Sequence, residues 1–261
     1  MVQVRFNGKD VEIPQNVTEC SIEQYRRLVF LAYTLTCGVI TLEQFREKWM
    51  CHLLGLSDLN IYRKDIQNEV VALMGNIESF LMFSEKGGVS RVTVDLKTGM
   101  QMLPDLGDWK ARVGDMLEGM KFGEFVECLE ILNMEESGDG DNWQTPYERI
   151  ARLMYSSEKP DAKVPGVLTF HSVTFFSTIW ETITTMPVNI SGSDIDFRII
   201  FQGVSSGPDD KTGWRGVTFE VASANVFGNV AAVNDTPFWD VLLYLYKCKF
   251  EYNHQKKGKK K

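Results

Sequence analysis

Two capping boxes stand close together near the start of the chain, Ser21-Ile-Glu-Gln24 and Thr41-Leu-Glu-Gln44. In each, the hydroxyl accepts a backbone N–H three residues on while the glutamine reaches back to the cap, so each marks a helix start. Behind the first, Tyr25, Leu28, Val29, Ala32 and Leu35 recur at helical spacing; behind the second, Leu42, Phe45, Trp49 and Leu53 share one face. Gly38 and Gly55 supply the stops. Two helices joined by so short a loop pack antiparallel. A chain that opens this way commits its apolar surface to helix-on-helix packing, and the expected fold is mainly α: a helical bundle with two or three small β-hairpins.

The first hairpin is read at residues 2–13, where apolar and polar residues alternate around Asn7-Gly8. A long third helix is expected from about Asn60 to Phe83, with Ile66, Val70, Met74, Ile77 and Leu81 as its buried stripe, broken by Gly87-Gly88. Alternation on both sides of Lys97-Thr98-Gly99 predicts a second hairpin over 92–103, which could pair with the first. Helices are predicted over Asp108–Glu118, Phe122–Met134 and Trp143–Tyr155. The polar, Pro-containing segment 156–165 is the best linker in the chain, so residues 1–156 and 166–261 are read as N- and C-terminal helical regions, with packing as a single domain the alternative. Beyond it follow a strongly apolar helix over Val167–Thr185, a hairpin within Val188–Phe197 and a loop at Gly203–Gly213. Helices from Trp214 to Ala224 and from Thr236 onward complete the pattern, the last with Thr236 as N-cap and Pro237 in its first position.

Charge and cysteine usage narrow the function classes. The 28 basic and 35 acidic residues give −7, but five lysines fall in the last six residues, and the remainder has 23 basic residues against 35 acidic. An acidic body has no general attraction for phosphate backbones, so nucleic acid is not the expected partner. Five widely spaced cysteines without a CxxC pair indicate neither a disulfide framework nor zinc. The opening Met-Val-Gln-Val-Arg-Phe lacks signal-peptide character, and the uncharged stretches 28–42 and 164–180 are too short to span a bilayer. The expectation is a soluble cytoplasmic protein.

Catalytic motifs fail on context. Gly203-Val-Ser-Ser-Gly207 has the spacing of a nucleophile elbow, but Pro208, Asp209 and Asp210 follow where a helix should begin. His52, His171 and His254 lie in separate segments and form no i, i+4 pair. Asp139-Gly-Asp141 places Gln144 and Ile150 where a calcium loop needs glycine and glutamate. No phosphate-cradling glycine loop is present. We therefore expect no enzyme, no catalytic residue, no cofactor and no metal. The terminal run Phe238–Tyr246 is apolar nearly all round one helix, which demands full burial or a partner surface. Phe238, Trp239, Leu242, Leu243 and Tyr246, with Lys256 and Lys257 beside them, form the expected partner-binding surface.

Three segments together resemble one group of proteins. KFGEFVECLEILNM (121–134) followed by an acidic loop and PYERIARLMY (146–155) is similar to a pattern in proteins of tailed and Mu-like phages and prophages of the Bacteroidetes. The paired opening helices and the terminal segment, with Phe227-Gly228 and Thr236-Pro237, are similar to the same group in the same order. The chain departs from the pattern after Tyr155, where Ser156-Ser157 stand and proline comes only at Pro160. The resemblance carries over no catalytic residue. It implies a phage morphogenesis protein of the tail assembly chaperone kind, which holds an aggregation-prone tape measure or tube protein. A virion structural component of tail or head completion, and a replication or nucleic-acid factor, are the rival readings.

Overall fold

The computed structural model describes residues 1–57, 64–86, 89–97, 100–134, 144–159, 161–201 and 212–258. These are mainly α-helical, with small antiparallel sheets of two or three strands. The chain forms two compact units, Met1–Leu103 with Pro165–Phe175, and Pro104–Val164 with Phe176–Lys261. These units differ from the ranges 1–156 and 166–261 read from the sequence, because the helix that starts at Phe122 packs on C-terminal helices and Lys121 bridges Pro237.

In the first unit, β1 (Val2–Phe6) and β2 (Lys9–Ile13) form a hairpin whose turn residues, Asn7 and Gly8, have φ +48° and +74°. Both positive values are what a tight two-residue turn requires. Helices α1 (Ile22–Thr36) and α2 (Leu42–Leu53) begin at Ser21 and Thr41, and both capping boxes are complete. They pack on each other and bury Tyr25, Leu28, Val29 and Ala32 against Phe45, Trp49 and Met50.

The long third helix ends sooner than expected, and its start, read at about Asn60, lies outside the described residues. Helix α3 (Lys64–Leu73) tightens into a 3₁₀ segment, Met74–Phe80, and the chain then becomes strand β3 (Leu81–Lys86). Gly75 weakens the helix, and the Asn76 amide donates to the Leu73 carbonyl at 2.9 Å, taking a helix-end acceptor. Strand β3 pairs with β4 (Val89–Val94), Leu81 opposite Val94. The second hairpin therefore lies before the predicted one, and it does not join the first.

In the second unit, the predicted helix over 108–118 is replaced by a sheet. Strands β5 (Asp105–Leu106), β6 (Trp109–Ala111) and β7 (Tyr155–Ser157) lie in that order, Trp109 opposite Ser157. Trp109 and Val113 are buried and alternate with exposed Lys110, a period of two that the glycines at 107 and 114 isolate from any helix. A tight turn follows in which Met116 and Leu117 take φ +56° and +59°.

Helices α4 (Phe122–Met134) and α5 (Gln144–Met154) lead to β7. Helix α6 (Gly166–Thr185) runs across the division at Phe175. Several of its hydroxyls are satisfied within the helix, Ser172 donating to the Leu168 carbonyl at 2.8 Å and Thr182 to that of Thr178 at 2.9 Å, while the buried Thr169 hydroxyl is left without a partner among the described residues. Such bonds back to the preceding turn are how a helix rich in Ser and Thr can be buried. The hairpin β8 (Val188–Ile190) and β9 (Ser193–Ile195) turns at Ser191-Gly192, as expected. Helices α7 (Arg198–Phe201), α8 (Gly213–Ser223), α9 (Val230–Asp235) and α10 (Phe238–Gly258) complete the unit.

The motifs that carry the family resemblance have structural roles. Phe122 and Phe125 are fully buried. A Cβ on Gly123 would fall 2.9 Å from Cβ of Asn234, so only glycine lets α4 approach α9 this closely. Thr236 closes α9 rather than capping α10: its hydroxyl donates to the Ala232 carbonyl at 2.8 Å, and α10 starts at Phe238. The Phe122 N–H donates to the Thr236 carbonyl at 2.8 Å and the Phe238 N–H to that of Met120 at 3.1 Å, a β-bridge that ties the starts of α4 and α10 together.

Candidate functional site

The opening run of α10, Phe238–Tyr246, is apolar nearly all round because the helix presents two apolar stripes. One stripe begins with Phe238, Val241 and Leu242, all fully buried. Phe238 stacks on Phe125 with ring centroids 5.0 Å apart. The second stripe is Trp239, Tyr246 and Phe250: Trp239 and Tyr246 lie 5.7 Å and 5.9 Å from the buried Phe197 ring, and Tyr246 stacks on Phe250 at 5.9 Å. The Trp239 indole N–H donates to the Met116 carbonyl at 2.9 Å and so holds the strained 115–117 turn.

These placements separate the expected partner-binding residues. Phe238 and Leu242 are core and cannot form a surface. Trp239, Leu243 and Tyr246 are half-buried, and Trp239 is tied to the turn it supports. Lys256 and Lys257 fall within α10, with side chains outside the described residues. The Gly203–Gly207 motif and Asp139–Asp141 also lie outside the described residues.

The first stripe does not end with the core. Its spacing continues through Leu245, Cys248, Lys249 and Tyr252, and these face Trp214, Val217 and Glu220 of α8 and the end of α7 across a groove of about 550 Å³. Trp214 supports the floor from beneath, edge-on to Phe125 at 5.9 Å and to Phe122 at 6.3 Å. Val217 and Leu245 are half-buried walls, and Tyr252 is 51% exposed at the rim. Glu220 and Lys249 give the rim one charge of each sign. Sequence reasoning missed this groove because the apolar run was followed only to Tyr246, and the same spacing continues beyond it among charged residues. The available signal was the match between that spacing and the Trp214, Val217, Val221 face of α8.

The groove offers shape and apolar surface, with the exposed Cys248 thiol on its α10 side. Among the described residues no three His, Cys, Asp or Glu side chains converge to hold a metal ion. His171 is fully buried, its Nε2 3.2 Å from the Gln101 carbonyl and 3.3 Å from the Tyr25 hydroxyl. Burial pushes the Cys20 thiol up to about 11 and the Cys128 thiol further, away from the thiolate form that reacts. No helix among the described residues is long and apolar enough to cross a membrane. Compared with known proteins, the chain matches no family model, no curated protein and no solved structure.

Proposed function

We propose that this chain is a non-enzymatic phage morphogenesis protein of the tail assembly chaperone kind, and that it holds an apolar segment of a tape measure or tube protein in the groove between α8 and α10. The observation that carries the binding reading is the groove itself. Its walls are apolar, its floor is braced by packed aromatics, and its dimensions suit side chains of an apolar segment. The tail protein as occupant rests on the resemblance of the FGEF, Phe-Gly and Thr-Pro segments to phage proteins. Helix-in-groove recognition supplies affinity by burying anchors at i, i+3, i+4 and i+7, without chemistry.

The test is an aggregation assay in which a tape measure segment is diluted from denaturant and light scattering is followed with and without the purified chain. Stoichiometric wild-type protein is expected to suppress scattering. Val217→Asp and Leu245→Asp place a charge in the walls and are expected to weaken capture at least about tenfold, the cost of desolvating an unpaired carboxylate. Tyr252→Asp, at an exposed rim position, is expected to weaken capture with its melting temperature unchanged. Full suppression by all three variants would remove the groove from the account.

A further inference from the structure

A smaller pocket of about 290 Å³ lies in the second unit, lined by residues of β6, α5 and β7 and by Arg112 and Lys159. Its charged lining is basic throughout: Arg112, Arg152 and Lys159, with the hydroxyls of Ser156 and Ser157 alongside. The three cations differ in how they are compensated. Arg112 Nη2 donates to a Glu124 carboxylate oxygen at 3.0 Å and its Nη1 to the Leu153 carbonyl at 3.2 Å. Lys159 pairs with Asp108 at 2.7 Å, but both side chains are mostly exposed, and such surface pairs are weak. Arg152 has no carboxylate within ion-pair distance among the described residues. Its Nη2 donates to the Ala162 carbonyl at 3.0 Å, and its guanidinium lies 5.4 Å from the centre of the Trp109 ring.

This arrangement leaves one positive charge without a counter-charge in a pocket where two others converge. The carbonyl of Ala162 and the face of Trp109 hold the Arg152 guanidinium at the pocket lining before any ligand arrives. The Ser157 hydroxyl oxygen accepts the Lys159 N–H at 3.2 Å, which leaves its O–H to donate. The Arg152 guanidinium without a carboxylate partner, the positive charges of Arg112 and Lys159 that their own partners only in part offset, and hydroxyl donors together suit a tetrahedral dianion better than a single carboxylate. Trp109 is only 4% exposed and covered by Arg152, so the pocket has no aromatic face on which a nucleobase could stack.

We propose that this pocket binds a phosphate group, as inorganic phosphate or the phosphate of a small phosphomonoester, with Arg152 as the principal contact and Arg112, Lys159 and Ser157 completing the site. The proposal is independent of the groove and of the tail-protein reading. It is tested by titrating the full chain with inorganic phosphate in a calorimeter, at ionic strength held constant with sodium chloride so that general charge screening cancels. One saturable site is expected. Lys159→Gln, at a mostly exposed position, is expected to weaken it about threefold to tenfold, and Arg152→Gln at least about tenfold. Adenosine monophosphate is expected to bind within about threefold of inorganic phosphate, since recognition ends at the phosphate. The proposal is overturned if phosphate shows no saturable binding, if Lys159→Gln with an unchanged melting temperature binds as the wild type does, or if the nucleotide saturates where phosphate does not.

Discussion

Phe125→Ala is expected to lower the stability of the second unit by about 3–5 kcal/mol, the range for deleting a fully buried phenylalanine. Phe125 is the hub of the aromatic core. Its ring centroid lies 5.0 Å from that of Phe238, 5.6 Å from Phe176, 5.7 Å from Trp180 and 5.9 Å from Trp214. These rings come from α4, α6, α8 and α10, so no single helix can move to close the cavity. The cost therefore combines lost transfer energy with a void that persists. Phe125→Leu retains most of the volume and is expected to cost about 1–1.5 kcal/mol. Thermal unfolding followed by near-ultraviolet circular dichroism, which reports the tryptophans of this cluster, checks both. Equal losses for Ala and Leu would place the hub elsewhere.

The second large effect is on acid stability. Burial pushes the His171 imidazole down to about 4, partly offset by its hydrogen bond with the Gln101 carbonyl. A carbonyl can only accept, so that contact places a ring proton on Nε2. In the unfolded chain the same imidazole titrates near 6.5. As pH falls below that value the unfolded state takes up a proton that the folded state refuses, and the equilibrium moves toward unfolding until the folded imidazole itself titrates. Between those pH values the first unit is expected to lose about 3 kcal/mol through this one residue. Denaturant titrations from pH 7 to pH 4 measure it against His171→Phe. The variant is less stable at neutral pH, because the Gln101 carbonyl loses a partner, but its stability should fall less steeply with acid. Parallel pH profiles for the two proteins would contradict this account.

Local signals in the sequence matched the structure where a few adjacent residues decide the outcome. The capping boxes at Ser21 and Thr41, the Asn7-Gly8 turn, the start of α4 at Phe122 and the Ser191-Gly192 turn are cases of this kind. What escaped was set by partners far along the chain. Trp109–Ala111 is a strand because Tyr155–Ser157 lies beside it, and Leu81–Lys86 is a strand because Val89–Val94 outcompetes a helix already weakened at Gly75. The same limit applies to α10. Its opening run, Phe238–Tyr246, demands cover on every side, but only the packing distinguishes Phe238 and Leu242, which are core, from Leu245 and Tyr252, which line the groove.

The proposed role also separates the chain from a component of the finished particle. A holding protein of this kind acts during assembly and is released, so its abundance should differ between the lysate in which particles form and the particles purified from it. Quantitative mass spectrometry of both fractions is the most direct measurement. The account predicts that the chain is present in the lysate alongside the tape measure protein and absent from purified particles; its presence in particles at a fixed stoichiometry would contradict the chaperone role and make it a structural part of the virion.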